Sequence, residues 1–264
     1  MAGFRLFLKS GHTPTLFAAF FYLMFSFVIW VMNGAMAPYI SEQFQLTAAQ
    51  KGLLLSIPIV AGAVMRFPLG LLAQYVGRKT ATLVELALIT LTMSFGYFFV
   101  HTYDDLLKMA LLLGVAGASF GVAMSLGSGW YPPKYKGLAM GLVGAGNAGT
   151  ALAALLAPPL AEAYGWQSVY GFAALASFVP MAVVIFMAKE PPDRDVHAGM
   201  REHLACLLEG DGWVFSLIYV VTFGGFIGIV TFLPTYYYDQ FGVSKVQCSY
   251  AISEVVQHVT LRLI

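Results

Sequence analysis

Seven stretches of this chain run for about twenty residues with almost no charge. They lie near 15–39, 52–75, 80–100, 107–130, 137–161, 165–188 and 213–238. A helix needs about twenty residues to cross ~30 Å of hydrocarbon, so each stretch predicts a membrane-spanning helix. The first run follows a basic opening, "FRLFLKSGH", and has the outline of a signal peptide. Its apolar core is too long, however, and no small-residue cleavage site precedes "APYISEQF", so it is expected to be a retained helix.

Composition agrees with this pattern. Hydrophobic residues make up 59% and charged residues 10%, against roughly 45–50% and 25% in ordinary soluble domains. The expected class is an all-α polytopic membrane protein whose permanent partner is the lipid bilayer. A formal net charge of +1 offers no basic surface for nucleic acid. Cys206 and Cys248 lack metal-ligand spacing and read as ordinary reduced thiols, and the five histidines are scattered. No metal and no cofactor is expected.

Lysine and arginine in the connections predict an orientation. One set of helix ends carries Arg5, Lys9, Arg78, Lys79, Lys134, Lys136, Lys189, Arg194 and Arg201; the other carries Lys51, Lys108 and Lys245. Nine against three places the N-terminus in the cytoplasm of a cell with the chain in its cytoplasmic membrane. Three regions follow: a six-helix bundle over 1–188, a connection over 189–212, and a seventh helix with its tail over 213–264. The connection opens on a Pro-Pro break and then spaces Leu204, Leu207 and Leu208 as an amphipathic helix lying on the membrane surface. The tail "CSYAISEVVQHVTLRLI" is too short and polar to span, and the chain is expected to be a truncated piece of a longer protein.

Helices in lipid associate through small residues. Gly114, Gly117 and Gly121 fall on one face of the fourth run, and Gly137, Gly141, Ala145, Gly149 and Ala153 form a four-residue ridge on the fifth. Both predict tight packing. Asn147 is a polar residue set between Gly146 and Gly149.

Arg66 is the one formally charged side chain between Gly52 and Gly77. An arginine at the bilayer centre costs about 2.5–3.5 kcal/mol on insertion scales. Gly62 and Gly70 lie four residues to either side, on its own helical face. They are expected to leave space around a guanidinium that points into a cavity. The alternatives are a buried ion pair or a side chain reaching for the interface. Glu85, the other acid within a run, lies near a helix end and is a poor partner. A planar fork of donors suits a small planar oxyanion, so Arg66 is the candidate substrate ligand.

Two motifs resemble a known family. "GLLAQYVGRKT" (70–80) is similar to the loop signature of the major facilitator superfamily, with Gly70, Ala73, Gly77, Arg78 and Lys79 matching and Gln74 standing where an acid is usual. "GLAMGLVGAGNAGTA" (137–151) resembles the nitrate signature of the nitrate/nitrite porters in that superfamily, through Gly144, Gly146, Asn147 and Gly149. The resemblance implies a major facilitator fold: a six-helix bundle of 3+3 inverted repeats, plus the first helix of a second bundle. It implies that Arg66 pairs with nitrate or nitrite, that Asn147 offers its amide, and that Phe120, Tyr219 and Phe223 line the site. Taken on their own, Phe120 and Phe223 are core aromatics and Tyr219 is a helix-interface residue.

The implied function is transport by alternating access, either as an anion exchanger or as a symporter with protons as the coupling ion. A carrier for another small anion, or a non-transporting fragment acting as an assembly partner, are the competing readings. No nucleophile–base pair or metal cluster suggests an enzyme.

Overall fold

A computed structural model describes residues 2–193 and 208–250. Within them lie a short helix α1 (Ala2–Lys9) and seven helices long and apolar enough to cross a membrane. These are α2 (Thr13–Phe44), α3 (Ala48–Val76), α4 (Arg78–Phe98), α5 (Tyr103–Ser128), α6 (Pro133–Tyr164), α7 (Trp166–Met187) and α8 (Gly210–Phe241). All seven expected spans are present. Several run past the apolar stretch that announced them; α2 continues through the polar "SEQF" to Phe44. Hydropathy marks the lipid-facing length of a helix, whereas its hydrogen bonds continue until a cap stops them.

The caps are local and chemical. Thr47 begins α3 with a capping box: its hydroxyl accepts from the Gln50 N–H (3.3 Å) and its own N–H donates to Gln50 Oε1 (2.9 Å). Thr102 and Asp105 repeat the arrangement at α5. Gly77, at φ +98°, turns the chain from α3 into α4. An added Cβ there would also come within 2.9 Å of the Glu190 carboxylate.

Close packing uses some of the predicted glycines and not others. A Cβ on Gly114 would stand 2.3 Å from that of Ala61, and one on Gly62 would stand 3.2 Å from the Gly117 Cα, so α3 and α5 meet backbone to backbone. A Cβ on Gly149 would lie 2.0 Å from the Met24 carbonyl oxygen of α2, and one on Gly146 would lie 3.0 Å from the Met24 nitrogen. A Cβ on Gly121, Gly137 or Gly141 would meet nothing within 4 Å among the described residues. The ridge on α6 therefore packs only along its later half. Its first turns are exposed among the described residues.

At the end of the bundle carrying the N-terminus, here the basic end, Phe7 of α1 is fully buried and stacks on Tyr131 at 4.7 Å. At the far end α8 docks onto α2. A Cβ on Gly34 would come within 2.9 Å of the Thr231 carbonyl. Ile227, Val230, Thr231, Pro234 and Thr235 are buried there, but no residue of Gly210–Tyr219 is. The predicted amphipathic segment around Leu204 and Leu207, and the polar tail beyond Tyr250, lie outside the described residues; Leu208 is exposed.

Candidate functional site

Five of the long helices lose α-helical continuity at mid-span, α7 among them at Ser177. α2 breaks at Val31, α5 at Ala118, α6 passes through a tight 3-10 turn at Ala145–Ala148, and α8 widens into a π-turn at Val220–Gly224. Irregular backbone at membrane depth is tolerated where protein or a cavity surrounds it, and π-turns gather at functional sites. Trp30, Gly117, Phe120, Asn147 and Phe223 all lie in or within two residues of these breaks.

Arg66, on α3, meets residues beside the breaks of α2, α5 and α8. Its Cζ lies 5.9 Å from the ring centroids of Trp30, Phe120 and Tyr219 and 5.6 Å from that of Phe223. All four are within the range in which a guanidinium is drawn to a π-face. Trp30 and Phe27 form a buried floor, while Arg66, Phe120, Tyr219 and Phe223 are half-buried. The rings also hold one another. Tyr219 and Phe223 stack at 4.8 Å, Trp30 lies nearly parallel to Phe223 at 6.4 Å, and Phe27 meets both Phe120 and Phe223.

Two donors of the guanidinium have protein acceptors. Nε donates to the Gly117 carbonyl at 3.3 Å, and Nη1 reaches the Tyr219 hydroxyl at 3.5 Å. The last carbonyls of a helix lack intrahelical partners. The break at Ala118 therefore leaves Gly117 oxygen available to fix Arg66. No carboxylate pairs with Arg66 among the described residues. Glu85 instead accepts a hydrogen bond from Tyr22 in the core of the bundle. The site is a half-buried cation in an aromatic cage, with guanidinium N–H groups left over among the described residues.

Arg66, Phe120, Tyr219 and Phe223 thus come together. Asn147 makes no side-chain hydrogen bond to Arg66 among the described residues. It sits in the 3-10 turn that rides against α2, its carbonyl accepting from Thr150 Oγ1 at 2.8 Å, and its buried Oδ1 has no partner among the described residues. Gly146 and Gly149 let this turn approach the α2 backbone; Gly144 is near the end of Met124. Gly62 does not leave room for a ligand, because Trp30 and Gly117 fill its face, whereas Gly70 stands in open space. Trp30, Phe27 and the Gly117 carbonyl were not expected. Nothing in "VIWVMN" separates Trp30 from a core aromatic.

The loop motif builds a second cluster at the basic end. Glu190 accepts from the backbone N–H groups of Arg78 (2.8 Å) and Lys79 (2.9 Å) at the start of α4. A carboxylate there also meets the positive end of the helix dipole. The Arg78 guanidinium pairs with Asp193 and donates to the Ser125 carbonyl at 3.2 Å; Lys136 joins Asp193 at 3.2 Å, and Lys79 reaches the Ile185 carbonyl at 2.8 Å. Partial burial works against ionisation of Asp193, but hydrogen bonds and charge from Arg78 and Lys136 outweigh it and hold the carboxyl below its usual range. Gln74 stands in the loop where an acid is usual, and Glu190 and Asp193, just after α7, are the carboxylates that contact Arg78 and Lys79 among the described residues.

Residues 16–260 match the profile of the Major Facilitator Superfamily. The chain belongs to that superfamily. Among curated proteins it is 28% identical over 232 residues to the nitrite extrusion protein of Bacillus subtilis, covering 84% of this chain and 56% of that protein. It is 31% identical over 229 residues to the probable nitrate transporter NarT of Staphylococcus haemolyticus, covering 85% and 58%. The chain thus spans somewhat more than half the length of these relatives. Among solved structures it resembles a bacterial homologue of the human lysosomal transporter Spinster. The inward-facing, occupied form gives a TM-score of 0.69 at 18% identity, covering 91% of this chain and 57% of that one. The inward-facing, unoccupied form gives 0.71 at 19%, covering 93% and 59%. At that identity the likeness concerns the fold. The superfamily and these relatives are transporters, not enzymes, and the chain is a multi-pass membrane protein.

Proposed function

We propose that this chain forms the larger part of a carrier for nitrate and nitrite, with Arg66 as the anion ligand. One observation carries the reading: a guanidinium at mid-span has no carboxylate partner among the described residues and has N–H donors to spare inside an aromatic cage. Arginine's fork matches a planar oxyanion in a two-toothed fit. Phe120, Phe223 and Tyr219 confine such an anion above and below, and the Tyr219 hydroxyl adds a polar contact. Asn147 offers its amide from the 3-10 turn once an anion bridges the distance to Arg66. The names of the relatives agree with this substrate class.

The cycle is assigned to a complete carrier working by alternating access. Residues 1–188 act as one rocking bundle, 189–212 as the connection, and 213 onward as the beginning of its counterpart. The basic end faces the cytoplasm of a cell bounded by the cytoplasmic membrane. The Gly70–Lys79 motif, latched by Glu190 and Asp193, stabilises one conformation at that face. Exchange of anions and symport with protons are the two coupling schemes.

The test is nitrate uptake into liposomes containing the complete carrier, with and without a pH gradient, beside its Arg66→Ala variant. Saturable uptake that the variant loses supports the reading. Equal uptake by the variant overturns it. Stimulation by an inward proton gradient assigns symport, and dependence on internal nitrite assigns exchange.

A further inference from the structure

Arg66 is a long, flexible side chain, and a two-toothed fit to an anion requires its plane to be fixed. The Gly117 carbonyl holds Nε and the Tyr219 hydroxyl holds Nη1 only at 3.5 Å. Two acceptors at the rim do not define the depth at which the guanidinium lies. The rest of the constraint comes from the cage floor, and one residue of that floor is locked in place from three directions.

Trp30 is 4% exposed. Its indole N–H donates to the carbonyl of Pro58 at 2.9 Å, tying α2 to the same helix that carries Arg66, eight residues earlier. Its edge fits against two glycines: a Cβ on Gly117 would stand 2.5 Å from the indole Cε2 and Nε1, and one on Gly62 would stand 3.2 Å from Nε1. Its face lies nearly parallel to Phe223, in the π-turn of α8. Because the single donor of the indole is spent on Pro58, the ring presents only its π-face to Arg66. It has nothing left with which to bind an anion directly.

We infer that Trp30 is a positioning residue for Arg66: it fixes the plane and depth of the guanidinium and so sets how well a planar oxyanion is bound. The inference rests on the reading of Arg66 as the anion ligand. It adds that the affinity depends on a residue which never touches the anion. An indole offers the strongest π-face of the aromatic side chains, and its tie to Pro58 moves α2 and Arg66 as one unit.

The experiment pairs two substitutions in the complete carrier, Trp30→Phe and Trp30→Leu. Leucine fills much of the volume but has no π-face; phenylalanine keeps the face and gives up the tie to Pro58. The first readout needs no ligand. In protein carrying 15N-labelled arginine, the Arg66 Nε–H signal, assigned through Arg66→Lys, is expected to be displaced from the other arginines by the surrounding rings. Trp30→Phe should keep most of that displacement. Trp30→Leu should lose it at unchanged helicity by circular dichroism. The second readout is nitrate binding, whose half-saturation should rise roughly tenfold in Trp30→Leu and by less than about threefold in Trp30→Phe, in line with a desolvated cation–π contact. A displaced signal that persists in Trp30→Leu overturns the inference. If the signal moves as expected but the complete carrier with Trp30 in place binds no nitrate, positioning stands and the nitrate reading falls. If that carrier binds nitrate and Trp30→Leu binds it equally well, the nitrate reading stands and positioning falls.

Discussion

Lys51, at the start of α3, lies 2.8 Å from the carboxylate of Asp239, at the end of α8. Close by, Lys245 pairs with Glu42 at the end of α2 and lies over the rings of Tyr39 and Tyr238. These contacts pin the far end of α8 to the bundle, while its basic-end turns from Gly210 to Tyr219 hold no fully buried residue and touch the cage through the half-buried Tyr219. Partly exposed ion pairs contribute little to stability on their own, about 0–1 kcal/mol. Their effect is therefore expected in the equilibrium of α8 docking rather than in folding. With a cysteine introduced at the buried Thr235, Asp239→Asn should speed maleimide labelling several-fold, and the charge swap Lys51→Asp with Asp239→Lys should slow it again. Unchanged labelling in Asp239→Asn would show that apolar packing alone holds this end.

Replacing Arg66 by lysine retains the positive charge and removes the planar fork. A point charge cannot make the two-toothed contact, and it also loses the Nε bond to the Gly117 carbonyl. Losing one charge-assisted hydrogen bond costs about 1.5–3 kcal/mol, which corresponds to roughly ten- to a hundredfold in nitrate affinity. Isothermal titration with nitrate should record that loss without a fall in thermal stability. Lysine binding nitrate as tightly as arginine would mean that charge, not geometry, selects the anion.

The α6 ridge allows a contrast within one helix. Gly149→Ala would drive a Cβ to 2.0 Å from the Met24 carbonyl, and backbone cannot move aside as a side chain can. A cost of about 1–3 kcal/mol or more is expected from such overpacking. Gly137→Ala and Gly141→Ala meet open space, and alanine is the better helix former by up to about 1 kcal/mol. Melting followed by fluorescence-detected size exclusion should show a lower midpoint for the first and an equal or higher midpoint for the other two.

That contrast also shows what could be read from the sequence. The seven spans were legible because lipid demands unbroken apolar length, and Arg66 stood out because a lone charge in such a run is costly. Periodicity placed Gly137 and Gly149 on one ridge but could not say which of them has a neighbour, since partners come from distant helices. Trp30 was invisible for the same reason: its meaning lies in Pro58, Gly117 and Phe223, each on another helix. The mid-span breaks left only weak traces, because α2 and α5 interrupt their helices without a proline at the break. Asn147 was marked by its glycines, yet its side chain makes no hydrogen bond to Arg66 among the described residues.

Glu190 is expected to hold the loop motif by its charge. Glu190→Gln keeps one acceptor for the Arg78 and Lys79 N–H groups but removes the charge at the start of α4. The loss should be about 1–2 kcal/mol of stability, the difference between charged and neutral hydrogen bonds at a helix N-terminus. Hydrogen exchange should show it as faster opening of the first turn of α4, with the far end of the bundle unaffected. Protection that is unchanged at Arg78 and Lys79 would locate the latch in Arg78 and Asp193 instead.

The last prediction concerns Glu85, a carboxyl in the core of the bundle. It is fully buried; Oε2 accepts from the Tyr22 hydroxyl, and Oε1 has no hydrogen-bond partner among the described residues. Tyr22 is likewise fully buried, so each group depends on the other across α2 and α4. Removing one partner from a buried polar pair strands the other and costs about 1–3 kcal/mol, whereas replacing both by apolar groups of similar shape is nearly neutral. Tyr22→Phe should therefore destabilise the protein by more than the double variant Tyr22→Phe with Glu85→Leu, even though the double variant carries more changes. Glu85→Gln, which preserves both the shape and an acceptor for Tyr22, should be close to neutral. The coupling is read from a double-mutant cycle of unfolding in mild detergent. Additive effects would mean that the pair does not interact in the membrane. A non-additive stability term, with nitrate affinity unmoved in Glu85→Gln, would make the pair a structural clasp between α2 and α4, separate from the chemistry at Arg66.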